Sequence, residues 1–155
     1  MKETVKLSRI RPTEYSVNYN NGLTNIPFRW AGAKDSNVMS LDVPMEVFNY
    51  LNLQTKAIRT GALVISKDEV KFEEVKGMIS DVEEYENNSL SRDEIITLLK
   101  GNINKMKSEL NKVNARSAKL FIKQIKDELE QSEGMNSKKS EFVDEWFVSK
   151  DEDSE

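Results

Sequence analysis

Six apolar residues, Ile96, Leu99, Ile103, Met106, Leu110 and Val113, recur at alternating steps of three and four, which places them on one narrow helical stripe. Ahead of them, Ser91-Arg92-Asp93-Glu94 is a capping-box pattern, in which the Ser91 hydroxyl and the Glu94 carboxylate each satisfy a backbone N–H left open at a helix start. Asn114-Ala115-Arg116 interrupts the stripe, and Ser117 offers a second cap. Ala118, Ile122, Ile125 and Leu129 then draw a second stripe that stops before Gly134, a favoured residue at helix ends. Residues 91–134 therefore predict two helices folded back on each other.

The first 65 residues carry a different period. Val5 and Leu7 alternate with Lys6 and Ser8, and Tyr15, Val17 and Tyr19 alternate with Ser16 and Asn18, the pattern of half-buried strands. Asn20-Asn21-Gly22 predicts a tight turn onto residues 23–30, because Asn and Gly accept the positive φ of hairpin turns. Pro27, opposite the Ile26, Phe28 and Trp30 face, predicts an edge strand there. That face is a candidate docking edge, with Phe28 and Trp30 assigned to the core. After a loop over residues 31–36, Met39, Leu41 and Val43 resume the alternation. Asp42-Val43-Pro44-Met45-Glu46 then reads as a helix entry with proline in the first turn, and Val47, Phe48, Tyr50 and Leu51 supply its buried side. Thr60-Gly61-Ala62-Leu63-Val64-Ile65 predicts a turn into a strand buried on both faces, with Val70 and Phe72 returning as a last strand.

Val75, Met78, Ile79 and Val82 have helical spacing, although Gly77 weakens a helix there by about 1 kcal/mol relative to alanine. Residues 83–90 hold too little apolar content to pack and read as an acidic linker. Beyond Gly134, Phe142, Val143, Trp146 and Phe147 share one face of a short third helix. The expectation is an α+β chain: a small β-rich module over residues 1–82, a curved sheet or barrel with one short helix; a linker over 83–90; a helical hairpin over 91–134; and a short aromatic helix with an acidic tail over 135–155.

Charge divides this layout. The net charge of -4 covers a basic island over residues 100–126, where eight Lys/Arg stand against Glu109 alone, followed by eleven carboxylates against three lysines over residues 127–155. Its reading as solvated faces, neutralised within the molecule or by neighbouring subunits, stands beside a sharper one: contact with a nucleic-acid backbone through Lys105, Lys112, Arg116, Lys119 and Lys123. With 37% hydrophobic and 32% charged residues, any core is small, and a partner is expected to complete part of the apolar surface.

Cysteine and histidine are absent, which removes disulfides, thiolate sites, the commonest zinc ligand and the commonest general base. Glu73-Glu74 and Glu83-Glu84 lie in stretches where nothing would shift their pKa, and Asp151-Glu152-Asp153 lacks the glycine and spacing of a calcium loop. No phosphate-binding glycine loop or nucleophile elbow occurs. The expectation is no enzyme, no catalytic residue, no metal, no cofactor and no small-molecule substrate. No apolar run approaches a bilayer span, so a soluble protein without a membrane partner is expected.

Phe142, Val143, Trp146 and Phe147 have two uses open to them, as a cap on the hairpin or as an aromatic anchor for another chain. The segments Ile26-Pro27-Phe28-Arg29-Trp30, Val43-Pro44-Met45-Glu46-Val47-Phe48-Asn49-Tyr50-Leu51 and Gly61-Ala62-Leu63-Val64-Ile65, followed by Ser91-Arg92-Asp93-Glu94 and its stripe, resemble small proteins encoded among the virion genes of tailed bacteriophages. That resemblance implies a β-rich head before a helical tail, and a structural or assembly role in the virion, with the host cytoplasm as the site of assembly. Its partners would be other virion proteins or copies of itself. The expected function is thus a non-enzymatic adaptor acting through protein–protein contacts. A nucleic-acid-associated protein and a small acidic inhibitor or regulator of a host protein are the alternatives.

Overall fold

Alternation along the first strand decides where the first core forms. The computed structural model describes residues 3–34 and 37–148; the acidic tail over 149–155 lies outside them. β1 (Thr4–Arg9) is the centre of an antiparallel sheet of order β4-β1-β5, with β4 spanning Met39–Pro44 and β5 Val64–Ile65. Val5 pairs with Val43 and Leu7 with both Leu41 and Ile65, so one face of the sheet is apolar. β2 (Tyr15–Asn20) and β3 (Asn25–Trp30) make the expected hairpin, turned by Gly22 at φ 95 with the Asn20 and Asn21 side chains accepting from the turn amides. This hairpin is a separate two-stranded sheet, and the module is two small sheets rather than one barrel. Its inner side chains Tyr15, Val17, Tyr19 and Phe28 lie against the core, and Trp30 is fully buried with its indole N–H on the Leu7 carbonyl at 3.0 Å.

Pro44 ends β4 and stands just outside the first turn of α1 (Met45–Gln54), whose Val47, Phe48 and Leu51 are buried. The expected last strand through Val70 and Phe72 does not form. The Glu69 carboxylate accepts from the amides of Lys6 (2.7 Å) and Lys71 (2.8 Å), a side chain thus taking the place a strand would occupy beside β1. Val70 is 94% exposed, and Phe72 starts α2 (Phe72–Lys76), which Gly77 ends.

The stretch expected as an acidic linker is helical. α3 (Val82–Asn88) is capped by the Asp81 side chain, and its Tyr85 and Asn88 are buried one turn apart. The Tyr85 hydroxyl accepts the outward N–H of Ile65 at 3.0 Å and so closes the edge of β5. A tyrosine and an asparagine do this anchoring, which is why the segment lacks an apolar signature.

The predicted hairpin is present with a broken first arm. α4 (Arg92–Lys100) opens on the Ser91–Glu94 capping box and stops at Gly101; Asn102 then caps α5 (Ile103–Leu110) through the amides of Asn104 and Lys105. The break shifts the helical phase, so that Ile95 is buried in place of Ile96, while Leu99, Met106, Leu110 and Val113 hold their expected places. α6 (Arg116–Glu133) buries Ala118, Phe121, Ile122, Ile125 and Leu129 and ends at Gly134, where φ is 78. α7 (Ser137–Val148) follows as the third helix, longer than the turn or two expected. No helix among the described residues is long and apolar enough to cross a membrane.

Two cores result, one under the sheets and one among α4 to α7, and a buried polar clamp joins them. Ser117 does not cap α6. The Asn88 carboxamide oxygen on α3 instead holds the turn that leads into it, accepting from the amides of Asn114 and Ala115 at 3.1 Å each, while its nitrogen donates to the Arg59 carbonyl (3.0 Å) and the Asn114 side chain (2.8 Å). Arg11 is 4% exposed and donates to the carbonyls of Thr60 and Asn88 and to the Ser117 hydroxyl. Gly61, at φ 77, packs so closely that a Cβ there would stand 2.3 Å from the Asn88 carbonyl oxygen.

Asn88→Ala strands the amides of Asn114 and Ala115, at about 1–3 kcal/mol for the buried Ala115 group left unpaired. Urea unfolding followed by tryptophan fluorescence, with Trp30 reporting one core and Trp146 the other, is expected to pass from one transition in the native chain to two in the variant. Coincident transitions in the variant would show that the clamp does not couple the domains.

Candidate functional site

α7 packs in the groove between α5 and α6. Glu130 meets Ser140 at 2.7 Å and Lys126 meets Asp144 at 2.9 Å, so α7 runs antiparallel to α6. Of the four aromatic-segment residues, Val143 is fully buried and Trp146 is 7% exposed, its indole N–H donating to the Leu110 carbonyl at 3.0 Å. These two side chains belong to the second core. Phe142 and Phe147 flank them half-buried, each beneath a cation: Lys107 lies 5.4 Å from the Phe142 ring and Arg116 4.3 Å from the Phe147 ring. Of the four, Phe142 and Phe147 alone keep part of their surface open to another chain. Removing residues 140–155 would therefore open the second core rather than release a free anchor.

The basic residues divide in the same way. Lys105 and Lys112 are exposed, Lys112 within 3.5 Å of Glu109. Arg116 is tied to α7 through the Phe147 carbonyl at 2.9 Å. Lys119 is 6% exposed, with its ammonium 5.7 Å from the Trp146 ring. Lys123 pairs with Asp127 at 2.8 Å and Asp144 at 3.2 Å. The set does not form one open cationic face, because three of its five members lie against α7. The i,i+4 partners Lys123–Asp127 and Lys126–Glu130 are visible in the sequence. Asp144 is not, since only the docking of α7 brings it within reach.

Lys126 is the centre of this arrangement. It is 1% exposed, and its ammonium sits 2.9 Å from Glu130 and 2.9 Å from Asp144. Burial alone would lower its pKa, yet the two carboxylates outweigh burial and raise it. Hydrogen bonding from Lys126, joined by Lys123, holds the Asp144 carboxyl below its ordinary value, and the Ser140 hydroxyl with Lys126 does the same for Glu130. The latch thus stabilises ionised carboxylates against a buried ammonium.

Residues 3–81 match the family model described as the YonA N-terminal domain, and residues 91–154 match that of the YonA C-terminal domain. YonA is the name of a phage-encoded protein, in keeping with the phage resemblance of the sequence. No curated relative and no solved structure matches the chain.

Trp146→Ala is expected to destabilise the second core by about 3–5 kcal/mol, whereas Phe142→Ser and Phe147→Ser each cost under about 1 kcal/mol, as chemical denaturation will show. The latch also sets a pH window. Asp144 and Glu130 stabilise the docked helix above their ordinary values of 3.8 and 4.5, and this contribution is lost as pH falls through their lower folded values. Lys126 stabilises it below its ordinary 10.5, lost as pH rises through its raised folded value. Exchange of the Trp146 indole proton, measured by NMR with the Trp30 indole as internal reference, is expected to stay slow inside this window and to accelerate selectively on its acid side. Equal acceleration at both indoles would refute a local latch.

Proposed function

The chain belongs to the YonA family, whose two domain models it matches in order, and from that premise we propose that it is a non-enzymatic phage protein acting in the virion or its assembly as an adaptor. One observation carries this reading. Two domains with separate cores are fixed to each other by the Arg11–Asn88 clamp, so that surfaces on each are presented at a set angle. A hinge of solvated residues would not do this. The partners are other virion proteins or further copies of the chain, met in the host cytoplasm during assembly and retained in the particle.

The engagement of Arg116, Lys119 and Lys123 with α7 favours protein contact over phosphate contact, since cations held against carboxylates and aromatic rings release few counterions on meeting a polyanion.

In lysates of cells producing the encoding phage, fractionated on a density gradient, the protein is expected to travel with particles or with particle subassemblies. Recovery solely as free chain, or in a complex with one host protein, would overturn the adaptor reading, the second outcome in favour of a regulator.

A further inference from the structure

The ladder of the β2–β3 hairpin fixes which way each backbone group points. The Asn21 amide donates to the Thr24 carbonyl at 3.2 Å, and bonded and unbonded pairs alternate along an antiparallel ladder, so Tyr15, Val17 and Tyr19 bond to β3. The amides and carbonyls of Ser16 and Asn18 therefore point away from the hairpin, and they have no hydrogen-bond partner among the described residues. The same alternation turns Pro27 outward on β3, where its missing N–H removes the central donor that a further strand needs. Tyr85 and Glu69 close the sheet of β1 and β5. β2 has no such guard: over six residues it holds neither proline nor charge.

What this edge fits is set by its own residues. Tyr15-Ser16-Val17-Asn18-Tyr19 runs aromatic, polar, valine, polar, aromatic, the same in both directions about Val17. Turned antiparallel on itself about a two-fold axis at Val17, the strand sets Val17 against Val17, Tyr15 against Tyr19 and Ser16 against Asn18. Directly opposed residues share a face, so the half-exposed row of Tyr15, Val17 and Tyr19 in each copy continues into the other, and the Ser16 hydroxyl meets the Asn18 carboxamide on the outer face. The backbone agrees, because Ser16 and Asn18 are the residues whose outward groups this register pairs. Charge agrees as well. The Arg9 guanidinium lies 5.3 Å from the Tyr15 ring, and the Tyr19 hydroxyl donates to the Glu46 carboxylate at 3.2 Å, so the axis brings the Arg9 end of each strand to the Glu46 end of the other. Glu14, beside Tyr15, is paired with Arg29 at 3.4 Å within its own hairpin. Tyr19 packs edge-on against Tyr50, with ring centroids 5.3 Å apart, and so loses little freedom on pairing.

We propose that β2 pairs antiparallel with β2 of a second copy, centred on Val17, to give a two-fold dimer whose sheet runs β3-β2-β2-β3. The assignment rests on the adaptor reading, in which copies of the chain meet, and names the surface they meet through. The contact uses the same patch on both copies and consumes the open edge, while Pro27 stands on each outer strand, so pairing through this sheet stops at two.

The test is sedimentation velocity of the full chain over a range of concentrations, with substitutions at the exposed positions Ser16 and Asn18. The native chain is expected to pass from monomer to dimer as concentration rises. Ser16→Glu with Asn18→Glu opposes like charges twice across the axis and is expected to weaken the dimer roughly tenfold or more, whereas Ser16→Glu with Asn18→Lys opposes unlike charges and keeps it. Val17→Cys gives the chain its one thiol, since the sequence has no cysteine, at an unbonded pair whose Cα atoms stand about 4.5 Å apart, within disulfide reach. It is expected to form a covalent dimer under mild oxidation, and Asn20→Cys, away from the axis, is expected to stay monomeric. A native chain that remains monomeric at the highest concentration, two double variants that associate alike, or crosslinking no faster in Val17→Cys than in Asn20→Cys would each overturn the assignment. Those failures would leave co-sedimentation with particles untouched, whereas recovery from the lysate solely as free dimer would overturn the adaptor reading alone.

Discussion

The backbone amides of Asn114 and Ala115 stand at the start of α6, where a helix cannot satisfy its own first N–H groups, and the Ala115 amide is buried. Here the acceptor is the Asn88 side chain, more than twenty residues away on α3, and the same residue's carbonyl receives the Arg11 guanidinium. The start of the longest helix in the second domain is therefore completed only when the first domain is folded and in place. Domain order, domain angle and helix integrity become one constraint, and Gly61 is required because no side chain fits between that carbonyl and the turn.

The opposite end of the second domain is organised by charge. Lys126 lies deep enough that its ammonium would be costly alone, and the two carboxylates that accompany it are more exposed than it is. Such a group contributes less to stability than to specificity, since a register shift of α7 would take Asp144 away and leave the buried ammonium with the carboxylates of its own helix alone. Val143 and Trp146 supply the apolar energy, and Lys126 with Asp144 selects the alignment in which it is obtained.

Much of this was legible in the residues, for identifiable reasons. The strands declared themselves because Val5, Leu7, Val17, Leu41 and Val43 face a core on one side only, which leaves a period of two. The second helical stripe was equally clear, since Ala118, Ile122, Ile125 and Leu129 share one unbroken helix. Errors arose where a polar group did structural work. Gly101 and Asn102 cut the first stripe and rotated its phase to Ile95; Glu69 replaced a strand; Asn88 and Tyr85 turned an acidic stretch into the joint between domains. The candidate residues on α6 and α7 are individually visible in the sequence, where they suggest two separate surfaces. Only the antiparallel docking of the two helices shows that Arg116, Lys119 and Lys123 and the aromatic segment largely face one another.

The closing of β5 and β1 by Tyr85 and Glu69 carries a consequence of its own. An unprotected strand edge invites the same strand of a neighbouring molecule, and a protein accumulating to high local concentration is most exposed to that hazard. On this side of the sheet the outward N–H groups of Ile65 and Lys6 are already occupied by a phenol and a carboxylate, so newly made copies crowding one another find no template for runaway stacking. Aggregation is discouraged there without a charged strand or an extra layer, by two side chains that the fold needs in any case.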